Sequence, residues 1–139
     1  MEIDNHADTT VLGDKCLVIH DFNRPVDVNG YDPTSGSQEC ATITGATAYN
    51  QPVTRYTYML VWNQAMHFNN LTNHLLCPMR SIIQGVKINE LPNFLFTDPD
   101  YETHAILDKD ALDSDENLII PLSLNLGTSY FPVRRPITE

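Results

Sequence analysis

Alternating apolar and polar positions recur along much of the chain and predict β-strands more often than helices. Residues 42–49 and 55–63 are rich in Thr, Tyr, Val, Ile and Leu, and the segment 50–54 between them carries Asn and Pro, which favour turns. The two runs therefore predict a β-hairpin. Shorter strands are predicted at residues 16–20 and 25–29, upstream of the hairpin.

One short helix is predicted at residues 78–84. Proline is tolerated in a first helical turn, and Gly85 is the residue type preferred just past a helix end. Residues 86–89 then alternate between apolar and polar side chains, which predicts a further strand.

The last third of the chain changes in composition. Residues 92–117 are acidic and contain proline, so we expect mainly a solvated loop or linker. Residues 118–126 and 129–133 predict one or two edge strands, since Pro121 and Pro132 fit an edge better than a sheet centre.

The size and pattern of the chain indicate one all-β domain with one short helix and a C-terminal extension. A chain of 139 residues with 42% hydrophobic residues is long enough for a single core. We place the domain at residues 1–91 and the acidic linker and extension at residues 92–139.

Charge and apolar run length narrow the classes of partner. The chain has 8 Lys and Arg against 18 Asp and Glu, and a net charge of −10 disfavours binding to nucleic acid. No apolar run approaches the roughly 20 residues of a membrane span, and Met1 is followed by acidic residues rather than a secretory signal. We therefore expect a cytoplasmic protein that binds neither nucleic acid nor membrane.

Two other groups of residues are interpreted as structural. Cysteines are three in number and widely spaced, which predicts buried, reduced thiols at Cys16, Cys40 and Cys77. Aromatic residues occupy alternate positions of one predicted strand, which indicates core or interface packing of Tyr56, Tyr58 and Trp62.

Residues 3–13 carry the strongest chemical signal, with the order Ile-Asp-Asn-His-Ala-Asp-Thr-Thr-Val-Leu-Gly. This segment resembles the retropepsin signature, in which an apolar residue precedes Asp-Ser/Thr-Gly-Ala and an acidic residue and Thr-Val-Leu follow. The resemblance implies that Asp4 is catalytic. An aspartic protease needs two carboxylates that share one proton. One motif per chain therefore implies a homodimer with its two-fold axis between the two copies of Asp4.

Later segments extend the resemblance over roughly two-thirds of the chain. Residues 30–38 lie where a retropepsin has its flap, residues 73–80 are similar to the copia-type stretch before the helix, and residues 85–89 resemble the closing strand. A sharper likeness is to retroelement polyproteins of fungi, oomycetes and algae. There Asp-Ser-His-Ala-Asp-Thr, Ala-Thr-Ala-Tyr and Asn-Gln occur in this order, as at residues 4–9, 46–49 and 63–64.

The resemblance implies a retropepsin-like half-barrel, the protease domain of a copia-type retrotransposon polyprotein. Such a domain is an aspartic endopeptidase that acts on a polypeptide without a cofactor, inside the cell and within virus-like particles. The substrate-binding residues that it implies are Asn5, His6, Ala7, Asp8, Gly30 and Tyr31.

Two alternatives stay open. His6 replaces a glycine that lets substrate backbone approach the aspartate, and Asn5 replaces the Ser or Thr that links the two active-site loops. A catalytically inactive assembly or interaction module of the same fold would tolerate both changes. Alternatively, Asp4, His6 and Asp8 would point to one side of an extended segment and bind a metal ion, which indicates a metal-dependent hydrolase.

Overall fold

The structure is a computed structural model that describes residues 1–4, 9–29, 37–83, 86–92, 97, 100, 103–108 and 118–137. Strands account for 53% of these residues, so the predicted all-β class is confirmed. In chain order the elements are β1 (Glu2–Ile3), β2 (Val11–Leu12), β3 (Leu17–Asp21), β4 (Val26–Asn29), β5 (Ser37–Asn50), β6 (Thr57–His67), β7 (Leu75–Leu76), α1 (Pro78–Ile83), β8 (Lys87–Asn89), β9 (Ala105–Asp108), β10 (Leu118–Pro121), β11 (Ser123–Asn125) and β12 (Thr128–Tyr130). In the described part of the chain, no helix has the length and apolar character needed to cross a membrane.

The long hairpin of β5 and β6 is the framework of the larger sheet. That sheet has nine strands in the order β11-β12-β1-β7-β2-β6-β5-β3, with β4 also paired to β5. The predicted hairpin is confirmed, and it is longer than expected because pairing runs from Ala41 opposite His67 to Asn50 opposite Thr57. The Gln51 side chain stabilises the turn by accepting hydrogen bonds from the backbone N–H groups of Val53 at 2.5 Å and Thr54 at 3.0 Å.

A smaller sheet has the strand order β10-β9-β8. Strand β9 lies inside the acidic region 92–117, where the sequence predicts mainly loop. Its first three residues, Ala-Ile-Leu, are buried in the central strand of this sheet. The sequence does not reveal the strand, because this short apolar run lies between two acidic stretches. The predicted edge position of residues 118–121 agrees with β10, which forms one edge of this sheet.

Strand β12 is not an edge strand, which corrects the expectation for residues 129–133. It lies between β11 and β1, and Glu2 pairs with Tyr130. Pro132 falls two residues after the strand ends, so its missing N–H costs the ladder no hydrogen bond.

Residues after β12 pack into the main core. Phe131 is fully buried, and its ring meets the edge of Tyr49 with the ring centroids 5.9 Å apart. The Phe131 N–H donates to the Met1 carbonyl at 3.0 Å, and Ala48 and Arg134 exchange two backbone hydrogen bonds of 2.8 and 3.0 Å. The C-terminal residues therefore contact β1 and β5 together, whereas the domain boundary placed at residue 91 stays a prediction.

A buried polar pair joins the two sheets. His104 lies just before β9, and its Nε2 atom is 2.9 Å from the Ser129 hydroxyl on β12. The same hydroxyl donates to the Glu90 carbonyl at 3.4 Å. Burial lowers the pKa of His104, against an opposing effect of Glu90, so the ring is held neutral within this contact.

The core draws on both sheets. Residues from β1, β2, β5, β6, β7, β9 and β10 form one apolar cluster together with residues outside the strands, Phe131 among them. All three cysteines are buried and free, which confirms the prediction for Cys16, Cys40 and Cys77.

Replacement of Phe131 tests how strongly the C-terminal residues hold the core. We expect Phe131→Ala to lower the free energy of unfolding by about 3–5 kcal/mol, because it deletes a fully buried aromatic side chain. Urea denaturation followed by circular dichroism measures the change. Ile137→Ala is the control, since this side chain is 80% exposed and its removal should change stability by less than about 0.5 kcal/mol. Equal small effects of the two substitutions would contradict the packing.

Candidate functional site

The candidate site is built where β7 lies between β1 and β2. β1 runs parallel to β7, with Ile3 opposite Leu76, and β2 runs antiparallel to β7, with Val11 opposite Leu75. Asp4 immediately follows β1. β1 and β2 are therefore the two neighbours of β7, and the segment from Asp4 to Thr10 connects them.

One peptide unit, the bond between Leu76 and Cys77, anchors both ends of that segment. Its carbonyl oxygen on Leu76 accepts a hydrogen bond from the Asp4 N–H at 3.0 Å. Its N–H on Cys77 donates to the Thr10 hydroxyl at 3.3 Å in a buried contact. We call this arrangement the Leu76–Cys77 clamp. It fixes the backbone at Asp4 relative to Thr10 through a single peptide unit of β7 and the residue that follows it.

Strand alternation places Asp4 away from the core. Ile3 and Leu76 are opposite each other, and both are buried in the core cluster. Because successive side chains of an extended strand point to opposite faces, Asp4 lies on the other face from Ile3. Its side chain is half-buried, as expected for a group that a partner or substrate could reach.

His74 fixes the approach to β7. Its Nδ1 atom accepts a hydrogen bond of 2.9 Å from the Gly13 N–H, which follows β2. Gly13 is sterically required there, because a Cβ atom would lie only 2.5 Å from the Leu71 carbonyl oxygen. The Asp14 N–H donates to that same oxygen at 2.8 Å. These contacts hold the backbone just after β2 against the backbone just before β7.

Burial sets the protonation state of His74. The side chain is 2% exposed, and this desolvation is the main reason that its pKa falls from 6.5 to about 4. The neutral ring is also the form that the geometry requires, since Nδ1 can accept a hydrogen bond only when it carries no proton.

Of the seven predicted site residues, the structure describes only Asp4, whose N–H donates to the Leu76 carbonyl. The other six, Asn5, His6, Ala7, Asp8, Gly30 and Tyr31, lie outside the described residues. The strands on either side of the predicted flap are described, and they pair up to Asn29 opposite Ser37. The two ends of the flap segment are therefore adjacent.

The metal alternative is not addressed by these contacts. Two of its three ligands, His6 and Asp8, fall outside the described residues. Over the parts of the chain that are described, no group of three His, Cys, Asp or Glu side chains could hold a metal ion.

Sequence reasoning missed the residues that hold the site in place. The sequence indicates Thr10 only as part of the motif at residues 3–13, yet its hydroxyl accepts the hydrogen bond that completes the clamp. His74 lies in the segment 73–80, where the sequence indicates only a resemblance, yet it is buried and accepts a hydrogen bond from a backbone N–H 61 residues away. The available signal was an isolated histidine directly before the apolar pair Leu75 and Leu76, a position where a buried side chain needs a hydrogen-bond partner.

Comparisons with known proteins add no assignment: the chain matches no family model, no curated protein and no solved structure. The functional interpretation therefore depends on the geometry of the site and on the chemistry of its residues.

The low pKa of His74 predicts a loss of stability in acid. Between about pH 6.5 and pH 4 the unfolded chain binds a proton at this ring while the folded chain does not. Stability should therefore fall as the pH falls through this window. We expect His74→Gln to weaken this dependence, since glutamine does not titrate and its amide oxygen still accepts a hydrogen bond.

Urea midpoints at neutral pH and at about pH 4.5 measure the effect. The control is His20→Gln, which removes an exposed histidine and should keep the pH dependence of the parent. A parent and a His74→Gln variant that lose equal stability in acid would contradict the assignment to His74.

Proposed function

We propose that the chain is a retropepsin-like aspartic endopeptidase domain of a retroelement polyprotein, active as a homodimer with Asp4 as the catalytic residue of each chain. The observation that carries the proposal is the Leu76–Cys77 clamp. It holds the backbone of a candidate catalytic aspartate at the end of β1, on the face opposite the core. The half-barrel form of the fold belongs to the same proposal.

The chemistry requires two carboxylates in contact. In the proposed dimer, one Asp4 is ionised and removes a proton from water while its protonated partner donates a hydrogen bond to the scissile carbonyl. The water oxygen then bonds to the carbonyl carbon, and the carbon–nitrogen bond breaks as the amine takes up a proton. Preorganisation matters here because the carboxylates must keep a fixed separation, which the clamp supports through the backbone.

The proposed substrate is a polypeptide. The groove would be lined by residues 5–8 and covered by the segment between β4 and β5, whose strands meet at Asn29 and Ser37. This mechanism uses no cofactor. We also propose that the protein works inside the cell, within virus-like particles, where a polyprotein is processed.

The second candidate is an assembly module without catalysis, and one surface favours it. Helix α1 presents three large apolar side chains at spacings of three and four residues. Met79 is 61% exposed, Ile82 48% and Ile83 76%. Such a stripe typically contacts another protein surface, because adjacent exposed apolar side chains are unfavourable in water.

Asp4→Asn tests the proposed mechanism. Cleavage of a polyprotein-derived peptide by the parent should be bell-shaped in pH with an acidic optimum, since one proton must be shared. The variant should lose about 100-fold or more of kcat/KM, while its dimer stays as stable as the parent or becomes more stable, because a like-charge contact is removed. Asp100→Asn is the matched control, an exposed carboxylate for which activity should not change.

Folded fraction must be recorded at every pH, since burial of His74 destabilises the fold in acid. Full activity in Asp4→Asn, or a rate that only rises towards alkaline pH, would contradict the aspartic mechanism. A strict monomer by sedimentation at the assay concentration would do so as well. An inactive but dimeric parent would favour the assembly module.

A further inference from the structure

A cavity of about 310 Å³ lies between the two sheets. One wall is the inner face of β6, with Tyr58, Leu60 and Trp62 at alternate positions. The opposite wall comes from the smaller sheet and includes Ile88 and Ile106. Asp4, the proposed catalytic residue, is not among the described residues that line this space.

The cavity leaves large apolar side chains incompletely covered. Tyr58, Leu60 and Trp62 are all only half-buried, although they face inward from a strand that is paired along its whole length. Apolar surface left uncovered in this way is unfavourable in water. Its size falls at the lower end of ordinary ligand pockets, which begin at about 300 Å³.

Several side chains of the wall are held in place by contacts within the protein. The Trp62 indole N–H donates to the Thr47 hydroxyl at 3.1 Å, which fixes the ring against β5. Phe131 and Leu76, which also line the cavity, are fully buried core residues. A ligand would therefore meet ordered aromatic and aliphatic surfaces and would lose little affinity to rearrangement of the protein.

Charge narrows the kind of ligand. The chain carries a net charge of −10, and Asp108 is the only acidic or basic residue among the described residues that line the cavity. Both disfavour an anion, and the mainly aliphatic and aromatic lining disfavours burial of a charge of either sign. Thr10, Ser81 and Asn63 add hydroxyl and amide groups, which suit one or two neutral hydrogen-bonding atoms on the ligand.

We propose that the inter-sheet cavity binds an uncharged, largely aromatic small molecule. The site is distinct from the candidate catalytic face. Thr10 and Leu76 turn their side chains to the cavity on the core side of β7, whereas Asp4 lies on the opposite face. Binding at this site would stabilise the folded chain whether or not the protein is a protease.

Two dyes that differ by one charge test the proposal. N-phenyl-1-naphthylamine is neutral, and 8-anilinonaphthalene-1-sulfonate has the same ring system with a sulfonate added. Trp62 is the single tryptophan of the chain and lines the cavity, so energy transfer from it reports binding of a dye to the chain, and cavity-filling variants then locate the site. We expect saturable transfer to the neutral dye, with one dye per chain and binding at least about tenfold weaker for the sulfonate.

Variants locate the bound dye. Val86→Phe fills part of the cavity and should weaken binding of the neutral dye by about tenfold or more. Val53→Phe is the control, because it makes the same change at a turn position that is 84% exposed and should leave the affinity unchanged. Ile88→Phe serves as the second filling variant if Val86→Phe does not fold. Circular dichroism of each variant establishes that the fold is retained.

Each remaining outcome overturns the proposal. Absence of saturable energy transfer means that the cavity holds no such ligand. Equal binding of the two dyes excludes selection against the anion. Unchanged affinity in both filling variants places the dye elsewhere, and an affinity that depends on protein concentration places it between two copies of the chain.

Discussion

The peptide unit between Leu76 and Cys77 is the contact on which the candidate site depends. Its two polar groups are both used, the carbonyl by the Asp4 N–H and the N–H by the Thr10 hydroxyl. A short strand far along the chain therefore defines the local geometry of a segment near the start. The arrangement is costly in chain entropy because the paired residues are widely separated, and it is stable only when the surrounding core holds β7 in place.

The surrounding core supplies that support from both sides of the site. β1 is paired to β7 along one edge and to β12 along the other, so residues from the start, middle and end of the chain meet at one place. The buried Phe131 ring packs on Tyr49, and His74 accepts a hydrogen bond from the backbone of Gly13, which directly follows β2. Core packing and the buried hydrogen bonds both fix the register of β7. A slip of β7 by one residue would turn Leu76 away from the core.

Patterns within short windows of the sequence predicted the strands and the helix well, but they did not predict contacts between residues far apart in the chain. The β5–β6 hairpin and α1 were predicted because alternation, turn residues and a helix stop lie within short windows of sequence. Strand β9 was missed because its apolar run is brief and flanked by acidic residues. The hydrogen-bond partners of Thr10 and His74 could not be predicted, since each partner is a backbone group more than sixty residues away. The catalytic role of Asp4 remains a proposal drawn from its motif and its position.

Hydrogen exchange at the backbone amides of Asp4 and Cys77 tests the clamp most directly. If both amides donate as described, they should exchange as slowly as the Ala46 amide in the centre of the β5–β6 ladder, because all three would open only with the core. Thr10→Val, which removes the acceptor hydroxyl and keeps the shape of the side chain, should speed exchange at Cys77 more than at Ala46. If the amides of Asp4 and Cys77 in the parent protein exchange as fast as those of an unstructured peptide, the account is contradicted.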